Sequence, residues 1–400
     1  MGDPLQDLLD APRGTPLALL HSCGAGPSWL CTDPVDELTL SAGEVHGAFD
    51  RLDAFLQRNR SRRSVGWLGY DLGLDLEPRA LHLAEDHAVP VLHVVAYGTV
   101  REYPAAPVPS APAVQPARHL RAHVTRADYE RRVAAVVEHI RAGDIFQANL
   151  SQPFTAEWHG DPRLLFWRAC EQSPAPFAGY LEDGKGTALV CSSPEEFVHL
   201  EGGTVRTRPI KGTRPRGTSA AQDAALLVEL LDSEKDCAEL AMIVDLLRND
   251  LGKVAVPGTV RVGPFPEHGS YAQVHHLYAT VTATMRAGAG IGSLLRATFP
   301  GGSVTGCPKI RCLEILEQLE VARRGIYTGA MGWFGPGEAA HLNIVIRSMV
   351  VKGATVRCNA GGGITSLSDP AREFEETLHK LAGIERTLQC HASWPVEGAR

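Results

Sequence analysis

The sequence lacks the long apolar runs that a membrane protein needs. No stretch approaches the roughly 18 consecutive apolar residues that span a bilayer, and the opening MGDPLQDLLD is acidic where a secretory signal is basic. Positive charge is not in excess, because 39 Lys and Arg residues face 46 Asp and Glu residues, for a formal net charge of −7. We therefore expect a cytoplasmic protein that binds neither nucleic acid nor a membrane surface.

Local ligand-binding motifs are also missing. The nine cysteines contain no CxxC pair, which argues against a disulfide framework or a structural zinc site and favours reduced thiols. The glycine-rich segments at 286–292 (RAGAGIG) and 360–366 (AGGGITS) match neither the Walker A nor the GxGxxG spacing. Nucleotide binding is therefore excluded on motif grounds.

The clearest change in composition is YPAAPVPSAPAVQ, residues 103–115, which has four prolines in thirteen positions. Such a segment is typical of an extended connector. It divides the chain into an N-terminal region (1–103), a connector (104–117), a larger C-terminal region (118–388) and a tail (389–400).

Beyond the connector, helical and strand patterns alternate without a βαβ rhythm. Thr125 and Gly143 are suited to the two ends of a helix. The next segment, from Phe146 to Ser151, predicts a strand with an apolar face and a face of amides and hydroxyls. Residues 327–334 and 342–351 predict a hairpin. Together these patterns indicate an α+β fold with antiparallel strands.

A basic segment, VRTRPIKGTRPRG at 205–217, centres on Lys211. A solvated basic edge is one interpretation, and nucleic-acid binding is another that the lack of interleaved aromatics weakens. The chemical interpretation makes Lys211 a nucleophile. Holding a lysine neutral at pH 7 costs roughly 4.6 kcal/mol from its reference pKa, and we expect burial and the neighbouring guanidiniums to lower that pKa.

Carboxylates on two predicted helices form a second candidate group. Glu239 shares its helix face with apolar residues, an unusual place for a charge without a positive partner. On the last helix, Glu373, Glu376 and Lys380 fall on one narrow arc, which an exposed ion pair would explain equally well. Carboxylates from separate helices suit Mg²⁺ completed by water and an anionic substrate. Glu195, in SSPEEF, is a further candidate that could instead be an exposed turn residue.

The three glycines at 361–363 could form an anion-binding nest of backbone amides or simply a flexible loop.

Seven ordered segments resemble one known family. They are PIKGTRPRG, DCAELAMIVDLLRNDLGKV, FPGGSVTGCPKIRCLEILEQLE, RRGIYTGAMGWFG, NIVIRS, AGGGITSLSDP and EFEETLHK. In this order they resemble the chorismate-utilising enzymes, the family of the anthranilate, aminodeoxychorismate and isochorismate synthases. The resemblance covers about residues 120–388, and SVGWLGYDLG at 64–73 extends it. It implies a layered α/β/β/α sandwich of two packed antiparallel sheets flanked by helices.

The resemblance also implies roles for individual residues. For the metal, it implies that Glu239 and Glu376 bind Mg²⁺ with Glu373 close by, and that Lys380 lies close to the metal. For the substrate, it implies that Arg347 and Tyr327 bind the enolpyruvyl carboxylate of chorismate and that the amides of Gly361, Gly362 and Gly363 receive a substrate carboxylate. For the reaction, it implies that Glu195 is the general acid and base, that His276 lies near the departing hydroxyl, and that Ser303 and Thr305 supply hydroxyls.

Two positions discriminate within the family. Members that add water carry a general-base lysine where this chain has Gln147, and a glutamine cannot deprotonate water. Lys211, in PIKGT, is similar to the lysine of members that aminate C4 of chorismate through a covalent intermediate, on the route to 4-aminobenzoate and folate. Amination at C2, as in anthranilate synthesis, and a catalytically silent binding homologue remain alternatives.

The ammonia source is expected to lie outside this chain. No glutaminase nucleophile motif occurs in the 400 residues, so the resemblance implies a separate glutamine amidotransferase subunit.

Overall fold

The computed structural model of the protein describes residues 2–76, 89–271 and 274–395. Residues 77–88 of the N-terminal region and 396–400 of the tail lie outside this part of the chain. The α-helices are α1 (Pro4–Asp10), α2 (Ala48–Arg58), α3 (Arg126–Arg141), α4 (Pro162–Gln172), α5 (Ala220–Leu231), α6 (Glu234–Gly252), α7 (Ile291–Thr298), α8 (Lys309–Leu319) and α9 (Pro370–Leu388). Across the described residues, no helix has the length and apolar character needed to cross a bilayer.

The strands alternate with these helices along the chain. They are β1 (Pro16–His21), β2 (Ser28–Leu40), β3 (Arg63–Leu68), β4 (Leu92–Tyr103), β5 (Arg118–Ala122), β6 (Gln147–Glu157), β7 (Phe177–Asp183), β8 (Thr187–Ser193), β9 (Glu196–Glu201), β10 (Thr204–Arg208), β11 (Ile210–Pro215), β12 (Arg261–Val262), β13 (Glu267–Ser270), β14 (Val274–Tyr278), β15 (Val281–Thr284), β16 (Gly306–Cys307), β17 (Ala330–Gly335), β18 (Ala339–Ile344), β19 (Ser348–Lys352) and β20 (Thr355–Ile364).

Seventeen of the described strands form one continuous antiparallel sheet. Following the pairings, the order is β5–β6–β20–β19–β8–β7–β1–β2–β4–β3–β17–β18–β9–β10–β15–β12, with β16 pairing with the start of β6. A separate small sheet has the order β11–β14–β13.

The apolar cores show how the large sheet is layered with the helices. One core lies between α1, α4 and α9 and the half of the sheet that contains β6, β7 and β20. Another lies between α2, α6 and α7 and the half that contains β3, β17 and β18. A third, with Trp67, Val95 and Met331, joins strands from both halves. This is the four-layered α/β/β/α arrangement, and the α+β expectation is confirmed.

The N-terminal region is built into this sheet. Its strands β1 to β4 lie between β7 and β17 of the C-terminal region. The connector, residues 104–117, contains neither helix nor strand. It lies against the body of the protein. The indole of Trp167 donates a hydrogen bond to the carbonyl of Pro109, and the indole of Trp158 donates one to the carbonyl of Gln115, each at 2.9 Å.

Several local predictions can be compared directly with the structure. Thr125 caps α3 by accepting a hydrogen bond from the amide of Asp128 at 3.0 Å, as expected. The predicted hairpin is confirmed, because β17 pairs with β18, but its second strand is not continuous over 342–351: it is interrupted between β18 and β19, where Arg347 has φ of +50°. The apolar face predicted from Phe146 is also wrong at that residue, which is 66% exposed just before β6 begins.

Candidate active site

The first wall of the candidate site is the polar face of β6. Gln147, Asn149 and Ser151 are all buried, with relative exposures of 1%, 8% and 6%. Both amide atoms of Gln147 lack a hydrogen-bond partner among the described residues. Buried amides are normally paired, so this strand end presents polar groups that a bound ligand can satisfy.

The three glycines extend strand β20 along this wall. Gly361, Gly362 and Gly363 pair with Ser151, Leu150 and Asn149 of β6. The loop expected at 361–363 is therefore wrong: these residues continue a paired strand, and the carbonyl of Gly361 accepts from Lys380 Nζ at 2.9 Å.

The missing side chains at these glycines leave room for charged groups. A methyl group on Gly363 would lie 2.8 Å from both Lys211 Nζ and Gln147 Nε2. One on Gly362 would lie 3.2 Å from Glu373 Oε2 and 3.4 Å from Glu376 Oε1. The strand β20 thus lies beside residues from three other segments, β6, β11 and α9.

Two alanine substitutions in β20 should separate an effect on activity from an effect on folding stability. Gly363→Ala meets only flexible side-chain ends, so we expect a folded protein with strongly reduced turnover of its substrate. Gly361→Ala would place a methyl group 2.2 Å from the backbone oxygen of Leu150, so we expect a large loss of thermal stability. Thermal denaturation and activity of both variants test this, and equal activity of Gly363→Ala and the wild type would contradict it.

Lys211 enters the site from the small sheet. Strand β11 pairs with β14 and has an irregular register between Lys211 and Thr213, where Gly212 takes a left-handed φ of +75°. Burial lowers the pKa of the Lys211 ammonium, the positive charge of Lys380 lowers it further, and Glu239 opposes both. No side-chain hydrogen bond to Lys211 is found in the described part of the chain. This environment favours the neutral form of Lys211 more than water does.

The arginines around Lys211 do not act as predicted. Each is engaged elsewhere: Arg206 with Glu196, Arg214 with Glu229, Arg216 with Asp223, and Arg208 over the ring of Tyr278. The expectation that neighbouring guanidiniums lower the lysine pKa is wrong, because paired charges are largely compensated. The positive charge of Lys380, on α9, lowers the pKa of Lys211 instead.

Glu195 is buried at 5% exposure, not exposed in a turn. Ser303 Oγ donates to its Oε1 at 2.6 Å. Burial raises the pKa of this carboxyl, while Ser303 and the charge of Lys211 partly oppose the shift. A carboxyl group with a raised pKa close to a lysine can supply a proton to a leaving group.

The three candidate metal ligands come from two helices. Glu239 lies on α6, while Glu373 and Glu376 lie on α9. Burial raises the pKa values of Glu239 and Glu373, and the charge of Glu376 adds to both shifts. Glu376 pairs with Lys380 at 2.7 Å, and this contact lowers its pKa against the effect of burial. The carboxylates therefore repel one another across a shared space.

This donor set fits a hard divalent cation. Glu373 Oε2 is buried and has no partner in the part of the chain that the structure describes, while its Oε1 accepts from Ser368 at 2.6 Å. Within the described residues the three carboxylates are not gathered within 4.8 Å of one another. Few protein oxygens, spread apart, suit Mg²⁺ that keeps water molecules and binds its substrate as a ligand.

His276 and Arg347 lie close to each other. Thr213 Oγ1 holds His276 Nδ1 at 2.9 Å, and His276 Nε2 is buried without a partner among the described residues. Burial, aided by the charge of Arg347, lowers the pKa of His276 to about 4. Burial also lowers the pKa of Arg347, and its guanidinium makes no hydrogen bond or ion pair with the described residues. A half-buried guanidinium without a partner among the described residues is suited to an anionic ligand.

Two predicted residues lie nearby without a contact to this group. Tyr327 is buried beside Arg324 and Glu320, and burial raises the pKa of its hydroxyl. The amide of the next residue, Thr328, donates to Val345 at 2.7 Å, which places the Tyr327 segment alongside the one that ends at Arg347. Thr305 donates its hydroxyl to the carbonyl of Gly301 at 2.9 Å and so holds its own turn.

Sequence reasoning missed two supporting residues. Thr213 orients His276, and Lys235 lies 3.8 Å from Glu239. The i,i+4 spacing of Lys235 and Glu239 was visible in the sequence. The pairing of Thr213 with His276 depends on a β-bulge between distant segments and had no local signal.

The chain is similar in sequence to known proteins. The chain is 40% identical over 269 residues to aminodeoxychorismate synthase component 1 of Klebsiella aerogenes, covering 67% of this chain and 59% of that protein. It is 44% identical over 256 residues to an anthranilate synthase component 1 of Haloarcula marismortui, covering 64% of this chain and 52% of that protein. The chain thus spans somewhat more than half the length of these relatives.

A solved structure is similar over nearly the whole chain. Anthranilate synthase component I from Streptococcus pneumoniae superposes with a TM-score of 0.77 at 26% identity, over 92% of this chain and 93% of that one. The profile of the chorismate binding enzymes matches residues 15–386. The chain therefore belongs to the chorismate binding enzyme family.

Proposed function

We propose that this chain converts chorismate and ammonia to 4-amino-4-deoxychorismate. The observation that carries the proposal is the half-buried Lys211, whose amine lies next to Gln147 and Gly363 and whose pKa is lowered by desolvation. Several relatives named aminodeoxychorismate synthase component 1 support it, at 38–40% identity. Chorismate is a dianion, and the group of polar atoms that lack partners is suited to such a ligand.

In this proposal the two carboxylates of chorismate bind at opposite ends of the site. Arg347 binds the enolpyruvyl carboxylate, with Tyr327 beside its segment. Glu239 and Glu376, with Glu373 close by, hold Mg²⁺, which supplies positive charge to the ring carboxylate when bound. Lys380, tied to Glu376 and to the carbonyl of Gly361, fixes the position of these carboxylates.

Lys211 and Glu195 then carry the chemistry. The neutral amine of Lys211 forms a bond to C2 of chorismate, the ring double bonds shift, and the C4–O bond breaks. The hydroxyl leaves as water with the proton of Glu195. Ammonia next bonds to C4, the C2–N bond to Lys211 breaks, and the ionised Glu195 takes the excess proton from the new amine. Lysine and glutamic acid are both regenerated.

A covalent intermediate explains why nitrogen would enter at C4. The lysine occupies C2 while the hydroxyl departs, so ammonia meets an electrophilic carbon only at C4. Gln147 lines the same space, and an amide cannot act as a base for water. Both features favour amination over hydration.

We also propose that a separate glutamine amidotransferase supplies the ammonia. The word component in the relatives' names implies a partner. Purified chain should turn over chorismate with an ammonium salt and stay inactive with glutamine alone, until a glutaminase subunit is added. The cytoplasmic location expected from the sequence stays a prediction.

Anthranilate synthesis is the second candidate, because the relative from Haloarcula marismortui is similar at 44% identity. Incubation with chorismate, Mg²⁺ and ammonium salt discriminates between the two. Product that becomes 4-aminobenzoate only after a lyase is added supports C4 amination. Fluorescent anthranilate formed directly would refute it, and no turnover would indicate a silent homologue.

Replacing Arg347 should act on substrate binding. For Arg347→Met we expect the KM for chorismate to rise about 10- to 100-fold, the equivalent of a lost hydrogen bond to a charged group, while kcat changes little. Steady-state kinetics at saturating ammonium measures both. The matched control is Arg386→Met, which removes the neighbouring charge that lowers the Arg347 pKa. An unchanged KM for Arg347→Met would place the carboxylate elsewhere.

A further inference from the structure

A second group of ligand-type side chains lies outside the chorismate site. His21, at the end of β1, Cys23, in the following turn, and Cys170, on α4, place one donor atom each within 4.8 Å of the other two. We call these three residues the thiol cluster. The two thiols are close enough that each shifts the pKa of the other. Cys170 is fully buried, and Cys23 is half-buried.

The imidazole of His21 provides an independent indication of a ligand. Its side chain is buried, with the residue 5% exposed, and Nδ1 lies 2.7 Å from Ser28 Oγ. Nε2 is also buried but has no partner among the described residues. Burial lowers the pKa of His21 to about 4, so the ring is neutral at pH 7. A neutral ring with one bonded and one unsatisfied nitrogen has the arrangement of a metal-binding histidine.

We propose that His21 Nε2 and the sulfurs of Cys23 and Cys170 bind Zn²⁺, with water at the fourth position. Sulfur and imidazole donors favour zinc over magnesium or calcium, because those harder cations need oxygen ligands. Zinc bonds of about 2.3 Å to sulfur and about 2.0–2.1 Å to nitrogen separate the donors of one tetrahedron by roughly 3.5–3.8 Å. The thiol cluster can reach that separation with small side-chain movements.

The charges of the proposed site also balance. Two thiolates and one neutral imidazole cancel the charge of Zn²⁺, so the bound site would be neutral inside the apolar core of α1, α4 and α9. Ser28 would accept a hydrogen bond from Nδ1–H of His21 and fix the ring for coordination through Nε2. The half-buried Cys23 gives the ion and its water access from solvent. The absence of a CxxC pair does not exclude this site, because its cysteines are far apart in sequence.

Cobalt substitution tests this site in the full-length protein. Reduced, metal-free protein would be titrated with Co²⁺, which absorbs strongly in the near ultraviolet only when thiolates coordinate it. The carboxylates of the chorismate site give no such band. We expect one equivalent of Co²⁺ to produce the band, and one equivalent of Zn²⁺ to abolish it.

Variants identify the ligands. Cys23→Ser should lose the cobalt band, and Ser28→Ala should weaken zinc binding about 10- to 100-fold, as for other outer-shell changes. Cys390→Ser is the matched control, since Cys390 is a half-buried thiol next to His391 but outside the thiol cluster, and it should keep the band. Circular dichroism checks that each variant is folded.

Three results would overturn the proposal. The first is no cobalt band at one equivalent in the reduced wild type. The second is a band of equal strength in Cys23→Ser, which would show adventitious metal elsewhere. The third is a disulfide between Cys23 and Cys170, found by peptide mass spectrometry, in a protein that takes up no zinc after reduction.

Discussion

Lys211→Ala is expected to lower the rate of C4 amination on the order of 10³-fold or more, as when other enzymes lose a covalent nucleophile. Alanine removes the only group that the proposal places against C2 of chorismate. The protein should remain folded, because a lysine buried with a lowered pKa does not stabilise the native state by its charge. The measurement is the rate of 4-amino-4-deoxychorismate formation at saturating chorismate and ammonium, coupled to an excess of lyase.

The controls separate a missing nucleophile from a general loss of charge. Lys352→Ala removes a lysine from β19 that bonds to Thr187 outside the site, and it should leave the rate unchanged. Product analysis is needed as well as the rate, since residual anthranilate from Lys211→Ala would indicate direct attack of ammonia at C2. A wild-type rate of C4 amination in Lys211→Ala would remove this residue from the mechanism.

Glu239→Gln is expected to abolish Mg²⁺-dependent turnover while leaving the protein folded. Glutamine keeps the shape of the side chain but lacks the negative charge that a hard cation needs. The loss should exceed the roughly 10- to 100-fold effect of outer-shell changes at metal sites. Thermal stability without Mg²⁺ should stay the same or rise, because burial already raises the pKa of this carboxyl and so penalises its charge.

A surface carboxylate on the same helix provides the control. Asp245 is exposed and pairs with Arg248, so Asp245→Asn should keep both its rate and its Mg²⁺ dependence. Activity would be measured across a Mg²⁺ titration, and Mg²⁺ binding by calorimetry on each variant. Full activity of Glu239→Gln, or unchanged Mg²⁺ binding, would show that the ion binds elsewhere.

Elements with a strong local pattern could be predicted from the sequence. The Thr125 cap and the helical spacing of Glu373, Glu376 and Lys380 depend only on neighbouring residues. The Glu376–Lys380 ion pair on this arc is present, but its position beside Lys211 could not be read locally. The position of these carboxylates depends on β20, because its glycines let the carboxylates of α9 lie close to Lys211 of the small sheet.

The failed predictions share a cause in long-range packing. Gly361 to Gly363 have the composition of a loop, yet their pairing with β6 keeps them in a strand. The arginines near Lys211 have carboxylate partners from other segments, which no local pattern shows. Glu195 is buried, and the residue that donates a hydrogen bond to it, Ser303, lies more than one hundred residues later. The thiol cluster likewise joins His21 and Cys23 of the N-terminal region to Cys170 of the C-terminal region.

A crystal structure of the wild-type protein with chorismate and Mg²⁺, in the absence of ammonia, would show whether Lys211 is the nucleophile. We expect Lys211 Nζ to lie about 3–3.5 Å from C2 of the ring, in attack geometry, or to be bonded to it already. Glu195 should then face the C4 oxygen. Chorismate bound with C2 turned away from Lys211, and the amine directed to solvent, would contradict the account.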